Sequence, residues 1–350
     1  MSPSAFSAAP PVANKPRPCV DPAKVEAPSL LYTGSVTRAI SMALLAAAAM
    51  GQQPPMYDYD RSAPFQYQEE IMRSDAKVEV AGAGFQSPKG GKVNMIVVRP
   101  RGQGPFAAIL YQHGGPQSMM TYLTEAQVLA QAGALSLILD APGSGPGAPK
   151  PPDDRGDAMR EHFVELTVCY RRAIDYLESL KTIDPRRIAF VGHSYGGISG
   201  SALMAVEPRV RAFVLIGAVA RLTRHVGETN IDFWNEWRKG MSADQLAAAL
   251  AKFRSVDPDN FVGAPNHAPV LLQCGNFDFL NLQPCVDLEH AASAPKEVRW
   301  YDTDHTFDNL EATLDRMRWL QTQLKLKPVK PLLDRLWTIP RKQSDPLRVK

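Results

Sequence analysis

A serine hydroxyl is a weak nucleophile until a base takes its proton and an acid holds that base in place. Ser194 stands where such help could reach it. It is the centre of Gly192-His193-Ser194-Tyr195-Gly196, a G-x-S-x-G pattern that holds a serine on a sharp strand-to-helix corner with its hydroxyl exposed. The flanking glycines suit a corner where neighbouring backbone passes too close for a Cβ. In folds with this corner the helpers follow in the order acid, then histidine. The later histidines are His225, His267, His290 and His305. His225 and His267 fall in or at the end of a stretch that interrupts the repeating pattern of elements, and His290 falls inside the helical pattern Leu282 to Ala292. His305 directly follows the predicted strand Val298 to Tyr301, in YDTDHTF, so it leaves a strand at its carboxyl end and is the preferred base. The preferred acid is Asp278, which leaves the run Val270 to Cys274 through Gly275-Asn-Phe. Asp302 and Asp304 are rivals, but so close in sequence to His305 they would rarely face Nδ1 from the right side. Asp278 could instead be a turn aspartate capping the next helix.

Acyl transfer also needs donors for the oxyanion. The N–H of Tyr195 is one, and the loop Tyr111-Gln-His-Gly-Gly-Pro-Gln117 offers the other from Gly114 or Gly115, with Gly115 the first choice. His113 and His193 read as braces of their loops. The glycine-rich Asp140 to Gly147 follows a strand but lacks phosphate-loop spacing, so it reads as a loop at the site's rim. G-x-S-x-G alone can arise by chance, which makes the surrounding elements decisive.

Those elements alternate. Strands are predicted at Val78 to Val80, Val93 to Val98, Ala107 to Tyr111, Leu135 to Leu139, Ile188 to Val191, Ala212 to Ile216, Val270 to Gln273 and Val298 to Tyr301. Between them lie helical patterns at Asp157 to Lys181, Ile198 to Val206 and Leu310 to Leu324, the first with Phe163, Leu166, Tyr170, Ile174 and Leu177 on one face. Such alternation implies an α/β fold, a mainly parallel sheet with helices on both faces and an antiparallel hairpin at its start. Ligands of such sheets bind at the carboxyl ends of the strands, where the candidates fall. Residues 220–266 break the pattern and read as a small helical cap, with Phe233, Trp234 and Trp237 as candidate pocket walls. The same aromatics could merely pack the insertion onto the domain.

The expected organisation is a leader at 1–55, a catalytic domain at 56–324 with the cap inside it, and a basic tail at 325–350. Within the leader, residues 36–50 resemble a signal peptide, set far from Met1; an Ala-rich helix is the alternative, and secretion or periplasmic export is slightly favoured over a cytoplasmic location. Residues 56–75 read as a polar, aromatic lead-in, and the tail as a solvated segment in which Leu332, Leu333, Leu336 and Trp337 could dock a short helix. A net charge of +3 gives no case for nucleic acid, and no apolar run approaches the ~18 residues of a membrane span. Four cysteines make neither a disulfide scaffold nor a zinc site; Cys274 and Cys285 could lie near each other, with free thiols the preferred reading. Oligomeric state is not legible.

With YQHGGPQ around Gly114, DPRRIAFVGHSYGG around Ser194, GNFD at Asp278 and DHTF at His305, the chain from about Met56 to Leu324 resembles the α/β-hydrolase superfamily. It looks most like the dienelactone-hydrolase-like and acetyl-xylan-esterase-like branch, with prolyl-oligopeptidase-type enzymes as near relatives. The lead-in YDYDRSAP is similar to that of exported hydrolases of that branch. True dienelactone hydrolases use cysteine as nucleophile, so Ser194 argues against dienelactone itself. The resemblance implies hydrolysis of a small-molecule ester through an acyl-enzyme, without metal or organic cofactor. The alternatives are an exopeptidase or amidase, for which Glu228, Asp232 and Glu236 could receive a peptide terminus, and a non-catalytic binding protein on the same fold.

Overall fold

A computed structural model describes residues 55–115, 117–141, 156–265 and 268–338. The candidate signal peptide and the rest of the leader to residue 54, most of the 140–147 loop, His267 and the tail from residue 339 lie outside the described residues.

Among the described residues nine strands form one sheet: β1 (Gln68–Ser74), β2 (Val78–Gln86), β3 (Lys92–Pro100), β4 (Phe106–Gln112), β5 (Ala134–Leu139), β6 (Ile183–His193), β7 (Ala212–Ile216), β8 (Val270–Gly275) and β9 (Lys296–Tyr301). Their order is β1-β2-β3-β5-β4-β6-β7-β8-β9. The first three pair antiparallel with their neighbours, and every pairing from β5 to β9 is parallel. Strands β5, β7 and β8 are buried along their whole length, which is why they read as unbroken apolar runs.

Helices α1 (Leu123–Ala132), α2 (Asp157–Ser179) and α3 (Tyr195–Val206) follow β4, β5 and β6. Three short helices, α4 (Leu222–Glu228), α5 (Asp232–Arg238) and α6 (Ala243–Phe253), fill the stretch between β7 and β8. After β8 come α7 (Gln283–Ala291), then α8 (Leu310–Leu324) and α9 (Lys330–Thr338). Side chains alternate across each strand, so the sheet has a core on each face. Ala108 and Leu110 of β4 join Phe163, Leu166 and Tyr170 of α2 and Leu203 of α3 on one side. Ala107, Ile109 and Tyr111 join Leu129 of α1 and Leu320 of α8 on the other.

One polar group lies inside the second core. Arg316 of α8 bonds Glu125 of α1 at 2.6 Å and Gln273 of β8 at 2.9 Å, and Tyr111 donates to the same carboxylate at 3.2 Å. Each partner satisfies the other, and the group ties both helices to the strands that end at the site. On the opposite face, Asp175 of α2 accepts from Tyr59, Arg61 and Arg209 at 2.7–2.8 Å and fastens residues 57–63 to the domain. Burial opposes its ionisation, but these donors outweigh burial and hold its carboxyl below the usual range.

Two expectations are corrected, and in the tail the docked-helix alternative is the one found. The lead-in contains strand β1, all seven of whose residues are exposed at the sheet edge; with no buried face it has no apolar alternation to betray it. Cys274 and Cys285 form a disulfide rather than free thiols, because the end of β8 and the start of α7 bring their Cα atoms to 6.1 Å. The tail begins with helix α9, and its Leu332 and Leu333 pack against the second core. The side chains of Leu336 and Trp337 lie outside the described residues. Among the described residues no helix is long and apolar enough to cross a membrane.

Candidate active site

Strand β6 runs straight into α3 through Ser194, whose backbone sits at φ 49°, ψ −111°. A positive φ on a residue with a Cβ costs on the order of 1–3 kcal/mol and persists only where the surroundings enforce it. Here they do. The Ser194 N–H is held by Ile216 of β7 at 2.7 Å, and a Cβ on Gly196 would come within 2.5 Å of the Gln112 carbonyl. The turn therefore lifts the hydroxyl off the sheet and leaves the Tyr195 N–H in the first turn of α3, where helix amides have no partner within the helix.

His305 Nε2 lies 2.7 Å from Ser194 Oγ, and His305 Nδ1 lies 2.8 Å from Asp278 Oδ2. The other oxygen of Asp278 accepts the Leu280 N–H at 2.8 Å, so the aspartate closes its own turn while facing the imidazole. Helix α7 begins instead with Asn281 accepting from the Gln283 N–H at 2.9 Å. The rivals are occupied elsewhere: Asp302 accepts from Asn276, and Asp304 from Thr306. Both the imidazole of His305 and the carboxylate of Asp278 are largely buried. A hydroxyl, an imidazole and a carboxylate joined in this order can move the hydroxyl proton onto the ring while the carboxylate steadies the charge that results.

The loop after β4 completes the rim. His113 Nδ1 donates to the Gly114 carbonyl at 2.8 Å, and its Nε2 lies 2.8 Å from Asp140 Oδ1. Gln117 Oε1 accepts the Gly114 N–H at 3.0 Å and lies 2.9 Å from His193 Nδ1. His193 in turn donates from Nε2 to the His305 carbonyl at 2.7 Å. Thus His193 links the serine corner, the histidine loop and the glycine loop. Burial first, then the neighbouring His305, push its imidazole down to about 3.

The sequence pattern of the alpha/beta hydrolase family matches residues 110–341, about two thirds of the chain. The protein belongs to that family. A peptidase of Bacillus subtilis named YuxL, itself described as uncharacterized, is 29% identical over 164 residues, which cover 44% of this hydrolase and 24% of the relative. The chain thus matches about a quarter of that relative's length. Among solved structures, acetyl xylan esterase 1 from Thermoanaerobacterium superposes with a TM-score of 0.66 at 16% identity, covering 76% of this chain and 90% of the other. The acetyl xylan esterase from Paenibacillus sp. R4 gives 0.64 at 18% identity, covering 85% and 97%. At such identities the likeness is one of fold.

In this hydrolase the candidate pocket aromatics divide. Trp234 and Trp237 pack against the first core, edge to face 5.9 Å apart, and Trp237 leans on Phe253 at 5.8 Å. Phe233 is exposed, 4.8 Å from Trp234. His225 of α4 meets Trp234 edge-on at 6.4 Å, and burial, with His305 nearby, pushes its imidazole down to about 4. Two residues near the site had no signal in the sequence, and a third, Asp140, was read only as the start of a loop at the rim. Phe279, 65% exposed, stands edge-on 4.7 Å from the His305 ring. His162 of α2 stacks on the Tyr195 ring and bonds its hydroxyl. Asp140 pairs with His113. Each depends on a contact between elements far apart in the chain. Among the described residues no three His, Cys, Asp or Glu side chains group as they would around a metal ion.

Proposed function

We propose that this alpha/beta hydrolase is a serine carboxylester hydrolase, with Ser194 as nucleophile, His305 as base and Asp278 as its orienting acid. The observation that carries the reading is the hydrogen-bonded chain from Asp278 through His305 to Ser194 Oγ, with 2.8 and 2.7 Å links, ending on a strained strand-to-helix corner. His305 Nε2 takes the Ser194 proton as Oγ adds to the ester carbonyl. The oxyanion is met by the N–H groups of Tyr195 and Gly115, and His305 then gives the proton to the departing alcohol. Water repeats the addition and frees the acid. Asp278 keeps Nδ1 protonated, so Nε2 is free to act as the base.

The amide-cleaving alternative draws support from the peptidase relative. Two of the acidic groups that would receive a peptide amino terminus are paired at the surface, Glu228 with Arg224 and Glu236 with Lys239. The acetyl xylan esterases that share the fold make short acyl chains the first to try. A panel of p-nitrophenyl esters run beside aminoacyl p-nitroanilides tests the proposal, with a fluorophosphonate probe as titrant of the serine. Ester turnover with Ser194 labelled is expected. Faster anilide cleavage would move the assignment to a peptidase, and failure of the probe to label Ser194 would leave a binding protein.

A further inference from the structure

The loop that carries Asp278 engages its polar side chains and leaves its apolar ones free. Asn276 donates to Asp302, Asn281 accepts the Gln283 N–H, and Gln283 donates to Asp287. Phe277, Phe279 and Leu282 are instead 67, 65 and 46% exposed. Among the described residues eight large apolar side chains are exposed, and these three of them fall within residues 277–282. Exposed apolar groups scattered singly are ordinary, but several on one loop mark a surface that binds something apolar.

The backbone of Phe279 is fixed on both sides. Asp278 before it is tied to His305 at 2.8 Å and accepts the Leu280 N–H at 2.8 Å, and Leu280 after it is buried in the first core. The Cys274–Cys285 disulfide joins the two ends of the loop. The Phe279 ring so held stands 4.7 Å from the His305 ring, inclined at 62°. His193 packs on His305 as well, but it is 4% exposed and both of its nitrogens are bonded within the protein. Of these two rings beside the base, only Phe279 offers a free surface.

The chemistry says which part of a substrate comes there. In acyl transfer to Ser194 the carbonyl oxygen turns to the N–H donors. The departing oxygen must come within hydrogen-bond reach of His305 Nε2 to take its proton. The alcohol is therefore the half of the ester drawn alongside the imidazole, and the acyl group leaves in the remaining direction. We infer that Phe279 is a specificity-determining residue that receives the alcohol, and that the substrate is an ester of an apolar alcohol, an aromatic one foremost. An aromatic alcohol gains ring-to-ring contact as well as apolar burial, and Phe277 and Leu282 on the same loop extend the apolar surface. A sugar alcohol would call instead for a set of hydrogen-bond partners, which a phenyl ring does not supply. The inference rests on the serine-hydrolase reading and deepens it by naming the half of the ester that is recognised.

The test moves one phenyl ring across the ester. Benzyl acetate and methyl phenylacetate are isomers that carry it on the alcohol and on the acyl side, and methyl acetate carries none; their alcohols are of similar acidity. Acid release is followed by pH-stat titration for wild type, Phe279→Ala and Phe279→Tyr, with a thermal midpoint for each. Wild type should show a kcat/KM for benzyl acetate about 10- to 100-fold above that for methyl acetate. Phe279→Ala should shrink that ratio by about tenfold, through KM rather than kcat, because the ring binds a part of the substrate remote from the breaking bond. The ratio of methyl phenylacetate to methyl acetate should move by less than about threefold. Phe279→Tyr, which keeps the ring, should restore the benzyl preference. If Phe279→Ala does not fold, Phe279→Leu should still lower the benzyl ratio by about threefold, and an unchanged ratio would count against the inference.

A wild type that hydrolyses all three esters without a benzyl preference would overturn it. So would a Phe279→Ala that loses kcat equally on all three, since the ring would then only shield the triad. A loss confined to methyl phenylacetate, or a wild-type preference for acetylated xylose over benzyl acetate, would overturn it too. A wild type that hydrolyses no ester and leaves Ser194 unlabelled by the phosphonate would instead overturn the underlying reading.

Discussion

Two imidazole–carboxylate pairs stand at the same edge of the sheet, His305 with Asp278 and His113 with Asp140. In both the ring is buried and the nitrogen-to-oxygen distance is 2.8 Å. The difference lies in what the other nitrogen faces. For His305 it is the Ser194 hydroxyl, which can give up a proton; for His113 it is a peptide carbonyl, which can only accept one. The first pair can pass a proton along, and the second can only hold a peptide in place. A histidine beside an aspartate is thus no signature of catalysis by itself. The group on the far side of the ring decides.

The sharpest way to break the contrast is to remove what lies on that far side. Ser194→Ala should abolish ester turnover, with kcat falling by roughly 10⁵–10⁶ and no stopped-flow burst remaining. A residual rate within tenfold of wild type would place the nucleophile elsewhere. Next in size is Asp278→Asn. The amide then donates to His305 Nδ1, the ring proton moves to Nε2, and the base toward Ser194 is lost. A fall of about 10⁴ in kcat with the fold intact is expected, as checked by pre-steady-state kinetics and circular dichroism.

Much of this was legible in the amino-acid order alone. Ser194 and Asp278 each follow a buried strand end, and His305 follows the half-buried edge strand β9, whose Val298, Trp300 and Tyr301 still mark it. In a parallel sheet, residues just past strand ends share one rim, so three positions far apart in the chain converge without any need to know side-chain detail. The paired glycines at 114 and 115 were legible as a loop that lets an amide turn. The partner of His113 was not, because Asp140 lies 27 residues away and the pairing depends on the register of β4 against β5. Strand β1 escaped because a fully exposed edge strand has no hydrophobic period. The Cys274–Cys285 bond and the Phe279 contact with His305 depend on how the loop after β8 folds back, a tertiary event with no local code.

His193 joins the two pairs, reaching the His305 carbonyl on one side and Gln117, which holds the Gly114 N–H, on the other. Its own titration sharpens the contrast, since His305, Arg316 and Asp278 all act on it while burial dominates. The folded-state value, about 3, lies below the unfolded 6.5. The unfolded chain therefore takes up the proton first, and stability is full above 6.5 and declines as pH falls toward 3. Between pH 7.5 and 5 the expected loss from this residue is about 2 kcal/mol. Chemical denaturation across that range should show His193→Gln with a flatter pH dependence than wild type by about that amount. Equal slopes would mean that the ring is charged in the folded protein.

The smallest expected effect is the most discriminating. Asp140→Asn is the same chemical change as Asp278→Asn, made in the other pair. Here the amide can donate to His113 Nε2, which leaves the ring proton on Nδ1, where it already serves the Gly114 carbonyl. The peptide stays held, and kcat should remain within about threefold of wild type, a difference well under the 1.4 kcal/mol that a tenfold change represents. The tautomer that ruins His305 is the mirror of the one that suits His113, because one ring needs its outer nitrogen bare and the other needs it protonated. Measured side by side on one ester, the two variants should therefore differ by three orders of magnitude or more. Comparable losses would mean that Asp140 does more than orient a ring, and that the two pairs are less distinct than their far-side partners suggest.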